Sequence, residues 1–427
     1  MELSRRQLLR NGLYGAAGLA VGGAAAACGT SSTSGSGGGV PASMTLWYWS
    51  GGLSDKVVAD ATKKFTQTKL KSSVIGGDFK QKLQTTMASG KYVPDITGIK
   101  GEDIASLLPN ADKFIDLNTL GADKLASQFL DWKWKQGSTK DGKLIGFPID
   151  IGPTALFYRP DLFQKAGLPT DPDKVAAALS TWDDYFQAGV EIKKALPKAF
   201  LVNNTGSVFG QAVGQAPERF IDAGGKFIGD QAHIRNAWEL AVKTVALGID
   251  AKINDNSWNA AIGNGTLATE IGAAWHALDI EQAAPELKGS WRVAAGPGGA
   301  ANNGGSFLAL PRQCADPQLA FEIVTWILNP ANQARGFTDD ALFPSMPAAY
   351  TLPALTAADP YFGGQSTIDV FGPAAKAIPV QYQAPADSAV STPYFNELTN
   401  VETGKSPDTA WSDAVSQAKQ VFQQQAG

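Results

Sequence analysis

Two prolines and two glycines around one carboxylate set the tightest local constraint in this 427-residue chain. They lie in residues 142–163, where Gly146-Phe147-Pro148-Ile149-Asp150-Ile151-Gly152-Pro153 leads into the strand-like run Thr154 to Tyr158. Proline fixes φ and removes a donor, whereas glycine frees φ. A stretch punctuated this way suits a short extended strap between two bodies better than a helix. It reads as a hinge crossover with Asp150 facing a cleft. An ordinary loop–strand junction inside one domain is the alternative these residues leave open.

At about 150 residues per domain, the length predicts two or three domains. Without its first 27 residues the chain carries 33 basic and 39 acidic side chains, a net charge of −6. A mildly acidic chain with no basic block is a poor binder of nucleic acid. Of the two cysteines, Cys28 and Cys314, one sits in the leader, so no disulfide is expected. His233 and His276 are far apart and no CxxC or HExxH occurs, so neither a metal site nor a cofactor is expected.

The first 43 residues read as an address. Arg5-Arg6 precede an apolar Gly/Ala-rich run from Leu13 to Ala27. That run is shorter than the roughly 20 residues of a bilayer span and fits the apolar core of a secretory signal. Its order resembles a twin-arginine leader. Ala25-Ala26-Ala27-Cys28 resembles the lipobox of bacterial lipoproteins, with Ala25 where leucine is usual. The expectation is a signal peptide over 1–27, then a lipidated Cys28 and a flexible Ser/Gly tether over 28–43. Two acyl chains on Cys28 would hold the protein at the extracytoplasmic face of the cell membrane. Plain cleavage with release is the alternative.

Beyond the tether the pattern alternates. Thr45 to Trp49, Ser73 to Ile75 and Pro94 to Ile99 read as strands. Between them, Val57, Ala61 and Phe65, then Phe79, Leu83 and Met87, repeat every four residues as helix faces. A β-α-β-α-β order implies a parallel sheet covered by helices, with ligands at the carboxyl ends of its strands. Trp49 sits at such an end, whereas Asp95 stands near the start of its strand. Farther on, Thr181 opens a helix from Trp182, and Phe200 to Val202 is strand-like. Gly265 to Trp275 reads as a small-residue strand, Gly304 to Pro311 as a turn and strand, and Pro407 to Gln425 as a closing helix. Phe343-Pro344-Ser345-Met346-Pro347 is a second proline-bounded strap.

Taken together, the leader, Cys28, the tether, Phe147-Pro148-Ile149-Asp150, Leu156-Phe157-Tyr158-Arg159-Pro160-Asp161-Leu162-Phe163, Gly272-Ala273-Ala274-Trp275, Gly305 to Pro311 and Gly404-Lys405-Ser406-Pro407 resemble the carbohydrate-binding lipoproteins of bacterial ABC importers. This is the maltose-binding-protein-like branch, extracellular solute-binding protein family 1. The likeness runs through essentially the whole chain after the leader. Tyr361-Phe362-Gly363-Gly364-Gln365 looks like the branch that takes plant or milk-type di- and oligosaccharides.

The resemblance implies an α/β, two-lobed periplasmic-binding-protein-like fold of type II. Its crossovers would lie near 148–153, 291–293 and 343–347. The N-lobe would comprise 44–148 and 293–343, and the C-lobe 152–291 and 347–427. A sugar would bind between them, with contacts from Trp49, Asp95, Asp150, Asn203, Trp258, Trp275, Ser306 and Tyr382. It also implies a monomer that hands its sugar to ABC permease subunits. The chemistry fits: indole faces cover the C–H face of a pyranose, and carboxylates and amides meet its hydroxyls. Asp150 as a turn cap, Trp275, Trp47 and Trp49 as core, and Trp258 and Asn203 as plain surface are the alternatives.

A secreted glycoside hydrolase would need two carboxylates about 5–10 Å apart, one with a raised pKa. Asp95 and Asp150 could be posed so, but nothing in the sequence marks an acid–base pair. A receptor for an anion or metal would call for clustered Arg, Tyr or His. Tryptophan dominates here instead.

Overall fold

The computed structural model describes residues 40–426. The leader, Cys28 and nearly all of the tether lie outside the described residues. Among those described, no helix is long and apolar enough to cross a membrane.

A six-stranded sheet carries the first lobe. Its strands are β1 (Ser43–Tyr48), β2 (Lys69–Val74), β3 (Ile96–Lys100), β4 (Phe147–Ile151), β8 (Ser306–Ala309) and β9 (Phe343–Pro344), in the order β2-β1-β3-β8-β4-β9. β1 runs parallel to β2 and β3, which is the expected β-α-β-α-β unit. β8 is antiparallel to both β3 and β4. The helix Asp55–Lys64 starts at Ser54, whose hydroxyl accepts the Val57 N–H, and buries Val57 and Ala61. The helix Phe79–Ser89 starts at Asp78 and stops at Gly90, whose φ of +65° suits glycine. β2 begins four residues earlier than the sequence pattern indicated. It is an edge strand in which only Leu70 is buried, and the flanking lysines hide its apolar signal.

The second lobe is built on three antiparallel strands, β5 (Thr154–Tyr158), β6 (Thr269–Ala273) and β7 (Arg292–Ala294), ordered β6-β5-β7. Every residue of β4 and of β5 is buried. The helix Trp182–Ala195 is opened by Thr181, which accepts the Asp184 N–H at 3.1 Å. The last helix, Pro407–Ala426, buries Ala410, Ala414 and Ala418 against the helix Asp387–Glu402. Small side chains every four residues let these two backbones come close. Phe200 to Val202 forms only single bridges, to Leu267 and Asp250, and is not a full strand.

The chain passes between the lobes three times. Gly152-Pro153 links β4 to β5, residues 295–305 link β7 to β8, and the chain leaves the first sheet after β9. The second passage corrects the expected 291–293. Arg292 to Ala294 pair with Tyr158 to Leu156, so they belong to the second sheet and not to the strap or the N-lobe. On the hinge side, Trp132, Ile151 and Phe343 from the first lobe share one core with Phe157, Trp291 and Phe371 from the second.

Two of the passages touch. The Gly152 N–H donates to Asn302 Oδ1 at 2.9 Å, and the Asn303 N–H donates to the Gly152 carbonyl at 2.8 Å. A Cβ on Gly152 would stand 1.8 Å from the Asn303 carbonyl oxygen. Only glycine allows that approach. Gly152→Ala is therefore expected to destabilise the protein by about 3 kcal/mol, the upper end of overpacking costs. Urea melts would show it, and an unchanged midpoint would contradict this account of the crossover.

Candidate functional site

The crossover brings one row of residues into register across three strands. Asp150 on β4 stands opposite Ser306, the first residue of β8, and Ser306 stands opposite Lys100, the last residue of β3. Asp150 is 4% exposed, and its Oδ1 is buried with no hydrogen-bond partner among the described residues. Burial drives its carboxyl pKa up, while the Lys133 ammonium and the Ser306 hydroxyl and N–H pull it back. Lys133 is wholly buried, and burial pushes its pKa down while Asp150 holds the charge on. Its Nζ lies 3.6 Å from the centre of the Phe307 ring and donates to Gln136 Oε1 at 3.2 Å. A buried carboxylate oxygen without a partner is costly, and an orphaned acceptor of this kind calls for a reason.

Indoles flank this row. Trp49 follows β1 and packs edge-on against Phe79, with ring centres 5.2 Å apart. It is slotted between Gly52 and Gly98, where an added Cβ on either would come within 2.7 Å of the ring. Lys100 Nζ lies 5.6 Å from its ring centre. These neighbours fix the indole while leaving it partly exposed. Trp275, just past the carboxyl end of β6, donates its indole N–H to the Asn303 carbonyl at 3.0 Å. It is thereby tied to the second passage, two residues from Gly305.

Trp258 and Trp275 are brought together by His276. The Trp258 ring lies 5.1 Å from the imidazole and the Trp275 ring 5.8 Å. Trp258 donates its N–H to Glu270 Oε1 at 3.0 Å. The His276 ring nitrogens face Asp279 at 3.2 Å and Glu270 at 3.6 Å. Burial opposes a charge on this ring, but hydrogen bonds to Asp279 and Glu270 prevail and raise its pKa to about 9. The His276 ring thus holds the two indoles against the end of β6.

The other expected residues fall elsewhere. Asp95 corrects the reading that put it against a sugar. Its Oδ2 accepts from the Thr45 N–H and hydroxyl at 2.7 and 2.9 Å, and its Oδ1 accepts the Ala315 N–H at 2.9 Å. It ties together the starts of β1 and β3, the opposite end of those strands from Trp49. Asn203 follows the bridge at Val202, and its Oδ1 accepts the Asn204 N–H at 2.7 Å. Tyr382 lies under Lys140 of the first lobe, whose Nζ is 5.1 Å from its ring centre and donates to the Ala223 carbonyl at 2.5 Å. Tyr361 to Gln365 is a structural turn. The Gln365 side chain pairs with both backbone groups of Val293, and the Tyr361 hydroxyl bonds the Ala284 carbonyl. Sequence reasoning missed Lys133, His276, Glu270 and Gln136. In Trp132-Lys133-Trp134-Lys135 nothing distinguishes the buried lysine from its exposed neighbour.

Comparison with known proteins follows from this geometry. A family model for bacterial extracellular solute-binding proteins matches residues 56–363. The chain is 28% identical over 312 residues to the arabinooligosaccharide-binding protein of Bacillus subtilis (strain 168), covering 66% of this chain and 68% of that one. It is 24% identical over 406 residues to the lactose-binding protein of Rhizobium radiobacter, covering 90% and 92%. A crystal structure of an extracellular solute-binding protein of family 1 superposes with a TM-score of 0.84 at 30% identity, covering 90% of this chain and all of that one.

The raised His276 pKa gives a signed prediction. Its contribution to stability is complete below the unfolded value of about 6.5 and is lost as pH rises through about 9. The difference in melting temperature between the native protein and His276→Gln should therefore be largest near pH 6 and shrink towards pH 9.5. A difference that stays constant with pH would show that the ring carries no charge in this cluster.

Proposed function

This chain belongs to the bacterial extracellular solute-binding protein family, and we propose that it captures a di- or oligosaccharide between its lobes and delivers it to an ABC importer. The family is one of binding proteins, not of enzymes. The observation that carries the reading is the unpartnered Asp150 oxygen, two residues before the first passage, with a partly exposed indole tied to the second passage where the two meet. A carboxylate acceptor next to a flat apolar face is what a sugar ring requires, because a pyranose offers C–H groups on its face and O–H donors at its rim. Relatives named for arabinooligosaccharides and for lactose point to the same ligand class.

In this reading Trp49 stacks from the first lobe, and Trp275 and Trp258 from the second. Asp150 and Ser306 receive hydroxyls. The ligand holds the lobes closed because its contacts come from both. A lipid on Cys28 would keep the protein beside its permease through the tether, and it would act as a monomer.

Thermal shift against mono- to tetrasaccharides tests the proposal, since a ligand stabilises by RT ln(1 + [L]/Kd). A rise in melting temperature with at least one neutral oligosaccharide is expected. Trp275→Ala should weaken the responding sugar about tenfold or more, and Asp150→Asn by about 10- to 100-fold. Silence across the whole panel would remove the sugar assignment.

A further inference from the structure

A second polar recess lies between the lobes, bordered by Asn302 of the second passage. Trp132 and Gln136 face it from the first lobe, and Arg219, Gln381 and Gln383 from the second. It is narrow and opens to solvent. None of the side chains lining it is acidic.

The hydrogen bonds already made decide what the recess can offer a ligand. The Trp132 N–H is committed to the Ala375 carbonyl. Asn302 uses its oxygen on the Gly152 N–H and its nitrogen on the Gly304 carbonyl. Gln381 gives its amide nitrogen to the carbonyls of Val213 and Ala216 and accepts the Arg219 Nε–H at 2.6 Å. Lys133, donating to Gln136 Oε1, fixes the Gln136 amide so that its NH2 faces Gln383 Oε1 at 3.1 Å. The unused donors are the two terminal amino groups of Arg219, one N–H of Gln136 and the NH2 of Gln383, beside amide oxygens that each keep a second lone pair. Neither terminal nitrogen of Arg219 has a hydrogen-bond partner among the described residues, and neither is sealed from solvent.

A neutral sugar hydroxyl suits such a recess poorly. It can give its proton to a spare lone pair of an amide oxygen, but it leaves the guanidinium charge of Arg219 without a counter-charge from the ligand. A carboxylate accepts only, and its two oxygens match the planar guanidinium fork. Asp387 is the one acid that faces Arg219 electrostatically. Its two oxygens are taken by the N–H groups of Phe220 and Ala384, which leaves the guanidinium fork open.

We propose that this recess is a subsite for the carboxylate of a uronic acid, so that the preferred ligand is an acidic oligosaccharide held by Arg219. The inference rests on the sugar-binding reading above and narrows it to one substrate class. Isothermal titration should compare a disaccharide that carries one uronic acid with its neutral parent. The acidic sugar should bind about tenfold or more tighter at low salt, with the advantage shrinking as salt is added. In Arg219→Gln the ratio of the two affinities should fall to about one. Gln383→Glu, which keeps the acceptor for Gln136 and needs no refolding of the Arg219 pocket, should turn the preference against the acidic sugar. Equal binding of both sugars by the native protein would overturn the subsite and leave the sugar reading standing. So would a preference that survives both variants. Binding of neither, across a broad set of neutral and acidic sugars, would overturn both.

Discussion

The two lobes are joined where Gly152 meets Asn302 and Asn303, and the site follows from that contact. Two strands that leave different sheets cross there and exchange two hydrogen bonds, with no space for a side chain on Gly152. The contact fixes the height at which β4 hands over to β5. It therefore sets Asp150 two residues before the crossing and Ser306 three residues after Asn303 on the returning strand. Glycines at 304 and 305, with φ of +98° and +84°, turn the returning chain so that Gly305 lies against the Asp150 carbonyl and the Lys133 ammonium. A Cβ there would meet both at under 3 Å. The tight backbone is what lets a lysine be buried beside an aspartate at all.

That buried pair is costly in isolation. Two charges taken from water lose several kcal/mol of solvation each, and their attraction recovers it only with good supporting hydrogen bonds. Lys133 finds Asp150, the face of Phe307 and Gln136; Asp150 finds Lys133 and Ser306. One acceptor is still left over. A core selected for stability alone would have closed it with a donor or replaced the pair with apolar side chains. In the proposed reading the leftover oxygen would accept a ligand hydroxyl, and the Lys133 ammonium favours the ionised carboxylate against the effect of burial.

The parts of this arrangement that sequence made legible are those set by local chemistry. Proline and glycine around Asp150 announced a strap because each acts on its own φ. Ser54, Asp78 and Thr181 announced helix starts because a cap acts within three residues. The parts that stayed hidden depend on distant neighbours. Lys133 is set by Asp150 and by the Phe307 ring from a distant strand, Arg219 by Gln381, 162 residues away, and no pattern around either differs from a solvated face. Asp95 shows the same limit from the other side. A proline–aspartate at a strand entrance resembles a ligand contact, yet Thr45 and Ala315, 50 and 220 residues away, spend its oxygens on joining β1 to β3. The passage at 295–305 was misplaced because Arg292 to Ala294 are a three-residue strand, too short to show a period of two.

Coupling between ligand and hinge follows from the same economy of contacts. The Trp275 indole donates to the carbonyl of Asn303, and the N–H of that same residue donates to Gly152. The face available for stacking and the crossing of the two strands are therefore one hydrogen-bonded unit. A molecule seated on that indole and bonded to Asp150 would contact both sides of the crossing within a few residues of it. A ligand shifts a two-state equilibrium only by its difference in affinity for the two states. Contacts this close to the pivot move little as the lobes swing, so they hold the ligand in either state without favouring one. In the proposed reading the preference for closure would come from groups farther out, such as Trp49 on one lobe and Trp258 on the other. Those separate when the cleft opens. In the proposed reading the crossover would recognise the ligand, and the rims would decide how firmly the lobes close on it.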